Sequence, residues 1–182
     1  MIPAQPPADS AAHGLSKAAL PPFFAVSLRK LAILSVCTLG LYHLYWFYCH
    51  WRRIGAWSDA SGFSPARRTL FFVFYCYPLF RRVRMLDARV NGRSRLHAAW
   101  LASGYVAANL LDLLPDPFGW LSLFSFVFLL HVQACANRLN EQLCAAPFDR
   151  NERLRGWNWA AVALGAVALV LGLAAAVSVM GR

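Results

Sequence analysis

The sequence predicts an all-α, multi-pass membrane protein, and three observations lead to this fold class. The 182-residue chain is 59% hydrophobic and only 14% charged, whereas soluble domains average roughly 45–50% apolar and about 25% charged residues. Long apolar runs recur along the chain. Its 18 lysines and arginines gather in short stretches beside those runs, as the positive-inside rule describes. Residues 23–182 are therefore predicted to form a single helical membrane domain.

The first 22 residues are predicted to be a disordered tail. They are rich in proline and alanine and offer little apolar surface to bury. The order of a signal peptide, a basic start followed by an apolar run and a small-residue cleavage site, is missing. The chain is therefore expected to keep its N-terminus.

Two N-terminal segments, about 31–51 and 69–80, are predicted to be embedded in the membrane. The first is free of charge over 21 residues, enough to cross a hydrocarbon core of roughly 30 Å as a helix. Gly40 in its middle predicts a kink or two half-helices. The second covers only about 18 Å as a helix, and Pro78 disfavours an unbroken continuation. Each segment either spans the bilayer or re-enters it.

The segment at about 81–95 predicts a basic amphipathic helix on the membrane surface. Val83, Leu86 and Val90 lie at i, i+3 and i+7, with arginines spread around them. Gly92 is expected to weaken its last turn.

Three clear transmembrane helices are predicted after this helix, at about 96–115, 118–136 and 157–180. The short turn 115–117 joins the first two in a hairpin. In the last helix Ala161 and Gly165 lie four residues apart, a spacing that lets helices approach closely. The partner is another helix of this chain or a second copy.

The distribution of lysine and arginine predicts the orientation. If both early segments cross, 13 basic residues lie inside and 5 outside; if both re-enter, 17 lie inside and 1 outside. Either topology predicts a multi-pass inner-membrane protein with a cytoplasmic N-terminus and a periplasmic C-terminus. The charge count favours re-entry, and the length of 31–51 favours crossing.

Aromatic and basic side chains suggest where the protein meets lipid headgroups. The stretch TLGLYHLYWFYCHWRR at 38–53 is dense in Tyr and Trp and ends in two arginines, which is typical of a helix that leaves lipid for water. The predicted interface residues are Arg52, Arg53, Arg81, Arg82, Arg84, Arg89, Trp46 and Trp51. Anionic phospholipids are the expected partners, and nucleic acid is not.

Four polar residues fall inside predicted membrane helices: Asn109, Asp112, His131 and Gln133. Intramembrane polar groups often mark a substrate or proton path. They also form structural hydrogen bonds between helices, here across the predicted hairpin. The structural interpretation is favoured, because one Asp near a turn and one His are few groups for a proton relay.

No cofactor or metal is predicted. His43 and His50 share a helix face and Cys49 lies about 100° away, so a zinc site would need a further ligand from Cys76 or His131. Interfacial histidines and buried cysteines explain these residues more simply. The five cysteines have no CxxC spacing, and a disulfide framework is not expected.

Enzyme motifs are missing from the sequence. It has no GxSxG, HExxH or P-loop pattern and only eight acidic residues. The favoured hypothesis is a non-enzymatic scaffold or interaction protein whose basic cytoplasmic surface binds anionic lipid or an acidic partner. The alternatives are an oligomeric transporter or channel and, less favoured, a lipid-modifying enzyme that uses His43 or His50. A homo-oligomer or a membrane-protein partner fits the first two.

Four stretches carry a family resemblance: TLGLYHLYWFYCHW (38–51), FSPARRTLFFVFYCYPLFRRV (63–83), LLPDPFGWLSLFSFVFLLHVQACANRLN (113–140) and DRNERLRGWN (149–158). Together they resemble small uncharacterised bacterial inner-membrane proteins. The first is similar to the domain-of-unknown-function 4234 group, in which a TLG(I/L)Y element precedes YWFY. The resemblance implies a bacterial inner-membrane protein without an assigned activity, cofactor or catalytic residue.

Overall fold

The computed structural model describes residues 21–57, 64–114, 118–144, 151–153 and 156–180. Within these ranges the chain is helical and contains no strand, so the all-α prediction is confirmed. The α-helices are α1 Leu28–Cys37, α2 Leu41–Trp57, α3 Pro65–Leu70, α4 Phe72–Asn91, α5 Ala98–Leu110, α6 Phe126–Leu143 and α7 Gly156–Met180; two 3₁₀ helices, Leu111–Leu113 and Phe118–Ser125, lie between α5 and α6.

A non-helical segment at 21–27, here called the N-terminal strap, precedes α1. Pro21 and Pro22 are buried, as are Phe23 and Val26. The predicted disordered tail covers residues 1–22, of which 1–20 lie outside the described residues. Its last two prolines instead belong to the packed domain.

The predicted segment 31–51 is divided into two helices at Gly40, as one alternative anticipated. Leu39 and Gly40 have positive φ angles of 50° and 85°, and the Gly40 amide donates to the Ser35 carbonyl at 2.9 Å, which closes α1 in a Schellman-type turn. The Thr38 hydroxyl accepts from the Tyr42 amide at 2.9 Å. This bond satisfies one of the amides that the start of a helix leaves without a partner.

A single helix, α4, replaces the predicted division between 69–80 and 81–95. It runs through Pro78 and ends where Gly92 adopts a left-handed conformation with φ 71°. Proline removes one hydrogen bond from a helix interior. The buried row of Cys76, Leu79 and Phe80 lies on either side of Pro78, and this packing keeps the helix continuous. Gly92 ends the helix, which is the role glycine favours.

The aromatic stretch of α2 supplies the core. Tyr105 of α5 is fully buried, and its ring centroid lies 5.8 Å from that of Phe47 and 6.4 Å from that of Phe80. Trp46 and Phe47 pack edge to face at 5.1 Å. α2, α4 and α5 therefore meet at one aromatic cluster.

The predicted hairpin is formed by α5 and the helical run that follows the 115–117 turn, although the turn itself lies outside the described residues. A Cβ added to Gly104 would overlap the Phe128 ring, so these helices pack closely. The α-helix at the start of the hairpin ends at Leu110 and continues as a 3₁₀ helix, short of the predicted 96–115 span.

The last helix packs on α1. A Cβ added to Gly165 would overlap the Cys37 carbonyl, which places two backbones in contact, as small residues allow. The Lys30 ammonium, also on α1, donates to the Asn151 side chain and to the Arg153 carbonyl, both at 2.9 Å. The small residue at position 165 is thus used within the chain.

One helix among the described residues, Gly119–Leu143, is long and apolar enough to cross a membrane by length and composition. It combines the second 3₁₀ helix with α6. Asn158–Gly172, within α7, is a shorter apolar helical stretch among the residues that the structure describes. Three full-length spans, as predicted at 96–115, 118–136 and 157–180, are therefore not confirmed.

Candidate functional site

A surface groove lined by four arginines lies along α3 and α4. It has a volume of about 490 Å³, within the range of small-molecule sites. Its lining is Arg68, Tyr77, Pro78, Arg81, Arg82, Met85, Leu86 and Arg89. We call it the arginine groove. Half of its lining residues are cationic, and the other half are uncharged.

The local sequence explains how the groove is built. Pro65 is the first residue of α3, and the Ser64 hydroxyl caps that helix by accepting from the Arg67 amide at 3.3 Å. This start is typical of helices and places Arg68 within α3. Arg81 and Arg89 lie eight residues apart on α4, so they share one face.

The side chains of Arg68 and Arg82 both pack against the ring of Trp51. The Arg68 guanidinium lies 4.8 Å from the Trp51 ring centroid and that of Arg82 lies 5.8 Å away, both within cation–π range. Burial, and then repulsion from Arg68, lower the pKa of the Arg82 guanidinium. The two cations are thus held near each other by a shared aromatic ring.

The expectation that Trp46 and Trp51 face lipid does not agree with the structure, because both side chains are completely buried. The indole of Trp46 donates to Gln133 at 2.6 Å, and Trp51 lies beneath the arginines. The residues of this stretch that do face outward include Tyr45 and Tyr48. Aromatic density alone could not separate the two sets.

The predicted interface arginines divide into two groups. Arg81, Arg82 and Arg89 line the arginine groove, whereas Arg52, Arg53 and Arg84 do not. Sequence reasoning missed Arg68 and Tyr77 as groove residues. The Ser-Pro pair at 64–65, a helix-start signal, could have placed Arg68 on a helix.

Gln133 is the centre of a buried polar network. Its side-chain oxygen accepts from the Trp46 indole at 2.6 Å and lies 3.1 Å from His50 Nε2. Its amide nitrogen donates to the Phe24 carbonyl at 3.0 Å and to Asn137 Oδ1 at 2.7 Å. All four hydrogen-bonding positions of this fully buried amide are used.

Two further amides of α6 hold the N-terminal strap. The Asn140 side chain both accepts from the Phe23 amide and donates to the Phe23 carbonyl, each at 3.0 Å. Asn137 donates to the Val26 carbonyl at 2.9 Å. Together with Gln133 these residues form a row at i, i+4 and i+7, one helix face, that binds the backbone of the strap.

The four predicted intramembrane polar residues are not brought together. Asn109 donates back to the Tyr105 carbonyl at 2.8 Å, and His131 lies 3.0 Å from the Val127 carbonyl. Asp112 accepts from Ser122 at 3.4 Å. Gln133 bonds to α2 and the strap rather than across the hairpin.

Asn109 and Asp112 nevertheless line a second cavity, of about 480 Å³. Ser122 and Ser125 contribute hydroxyls to its wall, and Gly172 of α7 lies on another side. The cavity lies where the α1–α2 turn, the hairpin and α7 meet. It is a polar-lined space near the hairpin turn.

The histidines of α2 have separate partners. His43 Nδ1 lies 3.3 Å from the Tyr105 hydroxyl, and His50 contacts Gln133. Both rings are buried inside the protein. Among the described residues no group of three or more His, Cys, Asp or Glu side chains is placed to hold a metal ion.

A buried carboxylate, Asp87, links α4 to α6. Its oxygen accepts from Arg138 at 3.1 Å and from Asn91 at 2.9 Å. Burial of the carboxyl opposes ionisation, but hydrogen bonds from Ser94, Asn91 and Arg138 outweigh it and lower the Asp87 pKa. This pair lies on the buried side of α4, so the arginine groove keeps the opposite side.

No family model, no curated protein and no solved structure matches the chain. The resemblance to the domain-of-unknown-function 4234 group therefore stays a prediction.

Proposed function

We propose that the chain is a non-enzymatic, multi-pass protein of the bacterial inner membrane whose basic cytoplasmic surface binds anionic phospholipids, as a scaffold or interaction element. The observation that carries this proposal is the arginine groove, which lies on the same helix as an exposed apolar face. A soluble protein rarely leaves such an apolar face uncovered.

The exposed apolar surface supports a membrane environment. On α7 the side chains of Leu164, Val167, Val170 and Leu171 are all exposed, although a soluble helix would turn such residues inward. Leu70 and Phe74, beside the arginine groove, are 74% and 76% exposed. Lipid would cover these surfaces without any further protein.

The orientation in this proposal has the N-terminus in the cytoplasm and the C-terminus in the periplasm. The break at Gly40 and the short α1 fit re-entry of the first segment, since ten residues of α-helix reach only about 15 Å. A reporter inserted near Ser61 is then expected on the cytoplasmic side. A periplasmic signal at that position would contradict re-entry.

Two measurements test the proposed function. Alkaline extraction of cell membranes should leave the protein in the pellet, as for an integral protein. The phospholipid that co-purifies in mild detergent should be richer in anionic species than the membrane from which it came. Release by alkali, or co-purified lipid of the bulk composition, would contradict the proposal.

The polar cavity at the hairpin favours a second candidate, an oligomeric transporter or channel. Asn109, Asp112 and Ser122 line this cavity, and polar groups within membrane proteins often mark a solute path. Several copies would be needed to enclose a pore. Solute flux in proteoliposomes that falls on Asp112→Asn substitution would support this candidate, and a monomer without flux would remove it.

A further inference from the structure

We propose that the arginine groove is a site for one anionic glycerophospholipid, with the headgroup phosphate between Arg81 and Arg89 and an acyl chain along Leu70 and Phe74. This inference rests on the proposed function. The ligand is then one phospholipid at one site, rather than many lipids over a generally basic surface.

The charge of the groove selects an anion. Four guanidinium groups surround one cavity, and two of them, those of Arg68 and Arg82, are positioned by the Trp51 ring. Arginine's planar donor fork matches two phosphate oxygens at once. A bound phosphate would also relieve the repulsion between these neighbouring cations.

The surface beside the groove selects a lipid rather than a free phosphate. Phe74, Tyr77 and Arg81 lie at i, i+3 and i+7, so they share one face of α4. Seven residues of helix separate Phe74 from Arg81 by about 10 Å. This separation exceeds the depth of the headgroup layer, roughly 5–8 Å on each side of a bilayer, so one phospholipid can contact Arg81 with its headgroup and Phe74 with its chains.

The uncharged lining fits the region where a headgroup meets its chains. Tyr77 is partly exposed and carries a hydroxyl beside an apolar ring, a combination common at membrane interfaces. Met85 is also partly exposed, and its flexible side chain adapts to irregular ligands. Tyr77 lies between Phe74 and Arg81, and Met85 lies between Arg81 and Arg89 along α4.

Two double variants with equal loss of charge test the site. Arg81→Gln with Arg89→Gln removes two groove cations, whereas Arg84→Gln with Arg93→Gln removes two exposed cations of the same region that do not line the groove. Detergent-solubilised full-length protein is titrated with phosphatidylglycerol, and bound lipid is counted by native mass spectrometry. Phosphatidylcholine serves as the neutral lipid, and circular dichroism verifies folding.

The groove variant should bind phosphatidylglycerol at least tenfold more weakly, since each arginine near an anionic headgroup is worth about fivefold. The control variant should stay within about twofold of the unsubstituted protein, a change smaller than one such arginine contributes. Equal losses in the two variants would show general charge attraction and overturn the site. An unchanged groove variant would overturn it as well.

Leu70→Gln with Phe74→Gln tests the acyl part. Phosphatidylglycerol binding should fall, while binding of inorganic phosphate should not change. If inorganic phosphate displaces the lipid at similar concentrations, or if this variant binds lipid normally, the assignment to a phospholipid is wrong.

The proposed function and the site fail in different ways. A protein released by alkali, without enrichment of anionic lipid, contradicts the proposed function. A membrane-integrated protein that enriches anionic lipid equally in the Arg81→Gln, Arg89→Gln variant contradicts only the site.

Discussion

Replacement of Gln133 by leucine should destabilise the fold more than any exposed glutamine replacement. Gln133 is fully buried and makes four hydrogen bonds, to Trp46, His50, Phe24 and Asn137. Leucine is close to glutamine in size, so the change removes polar contacts with little change in volume. The substitution therefore measures how much the hydrogen bonds of Gln133 contribute to the stability of the fold.

The structure sets the magnitude of this effect. The indole of Trp46 is a donor with no acceptor capacity, and Trp46 is buried, so the substitution leaves its N–H without its partner. His50, also fully buried, loses the same acceptor at its Nε2. Each buried group left unpaired costs about 1–3 kcal/mol, so the two together predict a loss of roughly 2–6 kcal/mol in the free energy of unfolding.

Equilibrium unfolding in detergent, followed by tryptophan fluorescence, measures this loss. The matched control is Gln142→Leu, because Gln142 is exposed and exchanges hydrogen bonds with the exposed Asn91; it should change the free energy by no more than about 0.5 kcal/mol. A Gln133→Leu loss of only about 0.6 kcal/mol, the average for a hydrogen bond between membrane helices, would refute the reasoning.

Three further substitutions test the packing of α7 on α1, the Asp87 ion pair and the contact of the N-terminal strap with α6. Gly165→Ala should cost about 1–3 kcal/mol by thermal unfolding because its Cβ would overlap the Cys37 carbonyl, whereas Gly156→Ala, with open space around it, should cost nothing; equal effects would contradict the close approach. Asp87 has a lowered pKa when folded, so its stabilising contribution is complete above about pH 4 and is lost as the pH falls through the lower folded value. Asp87→Asn should remove that part of the acid dependence, and an unchanged pH profile would contradict it. Asn140→Ala should speed hydrogen exchange at the Phe23 amide by tenfold or more, since two hydrogen bonds of about 1 kcal/mol each are lost; unchanged exchange would argue against the strap contact.

Local signals predicted several features correctly. The break at Gly40 follows from glycine's tolerance of positive φ. The close approach at Gly165 follows from small residues at a spacing of four. Both depend on a few neighbouring residues, which the sequence displays directly.

Features that depend on distant contacts were not predictable in the same way. Pro78 indicated a helix end, yet packing of Phe80 and its neighbours keeps α4 continuous. Trp46 and Trp51 looked like interface residues because Tyr and Trp favour both interfaces and cores. Trp46 contacts Gln133, which lies 87 positions later in the chain. Trp51 lies beneath Arg68 and Arg82, and no periodicity links these arginines to α2.

The N-terminal strap shows the same limit. The predicted disorder ends at residue 22, and nothing in the sequence indicates that three amides of α6 hold the backbone just after it, at Phe23, Phe24 and Val26. Side chains that bind backbone atoms leave no pattern in the segment they bind. Charge in the sequence predicts three of the four groove arginines, Arg81, Arg82 and Arg89, and Arg68 joins them only through the fold.

A structure in native lipid, with mass identification of the bound species, tests the central claim most directly. The expected result is a lipid belt around Gly119–Leu143 and α7, with one anionic phospholipid whose phosphate lies within hydrogen-bond distance of Arg81 and Arg89. An arginine groove without phosphate while anionic lipid binds elsewhere, or a particle with no lipid belt, would contradict the claim.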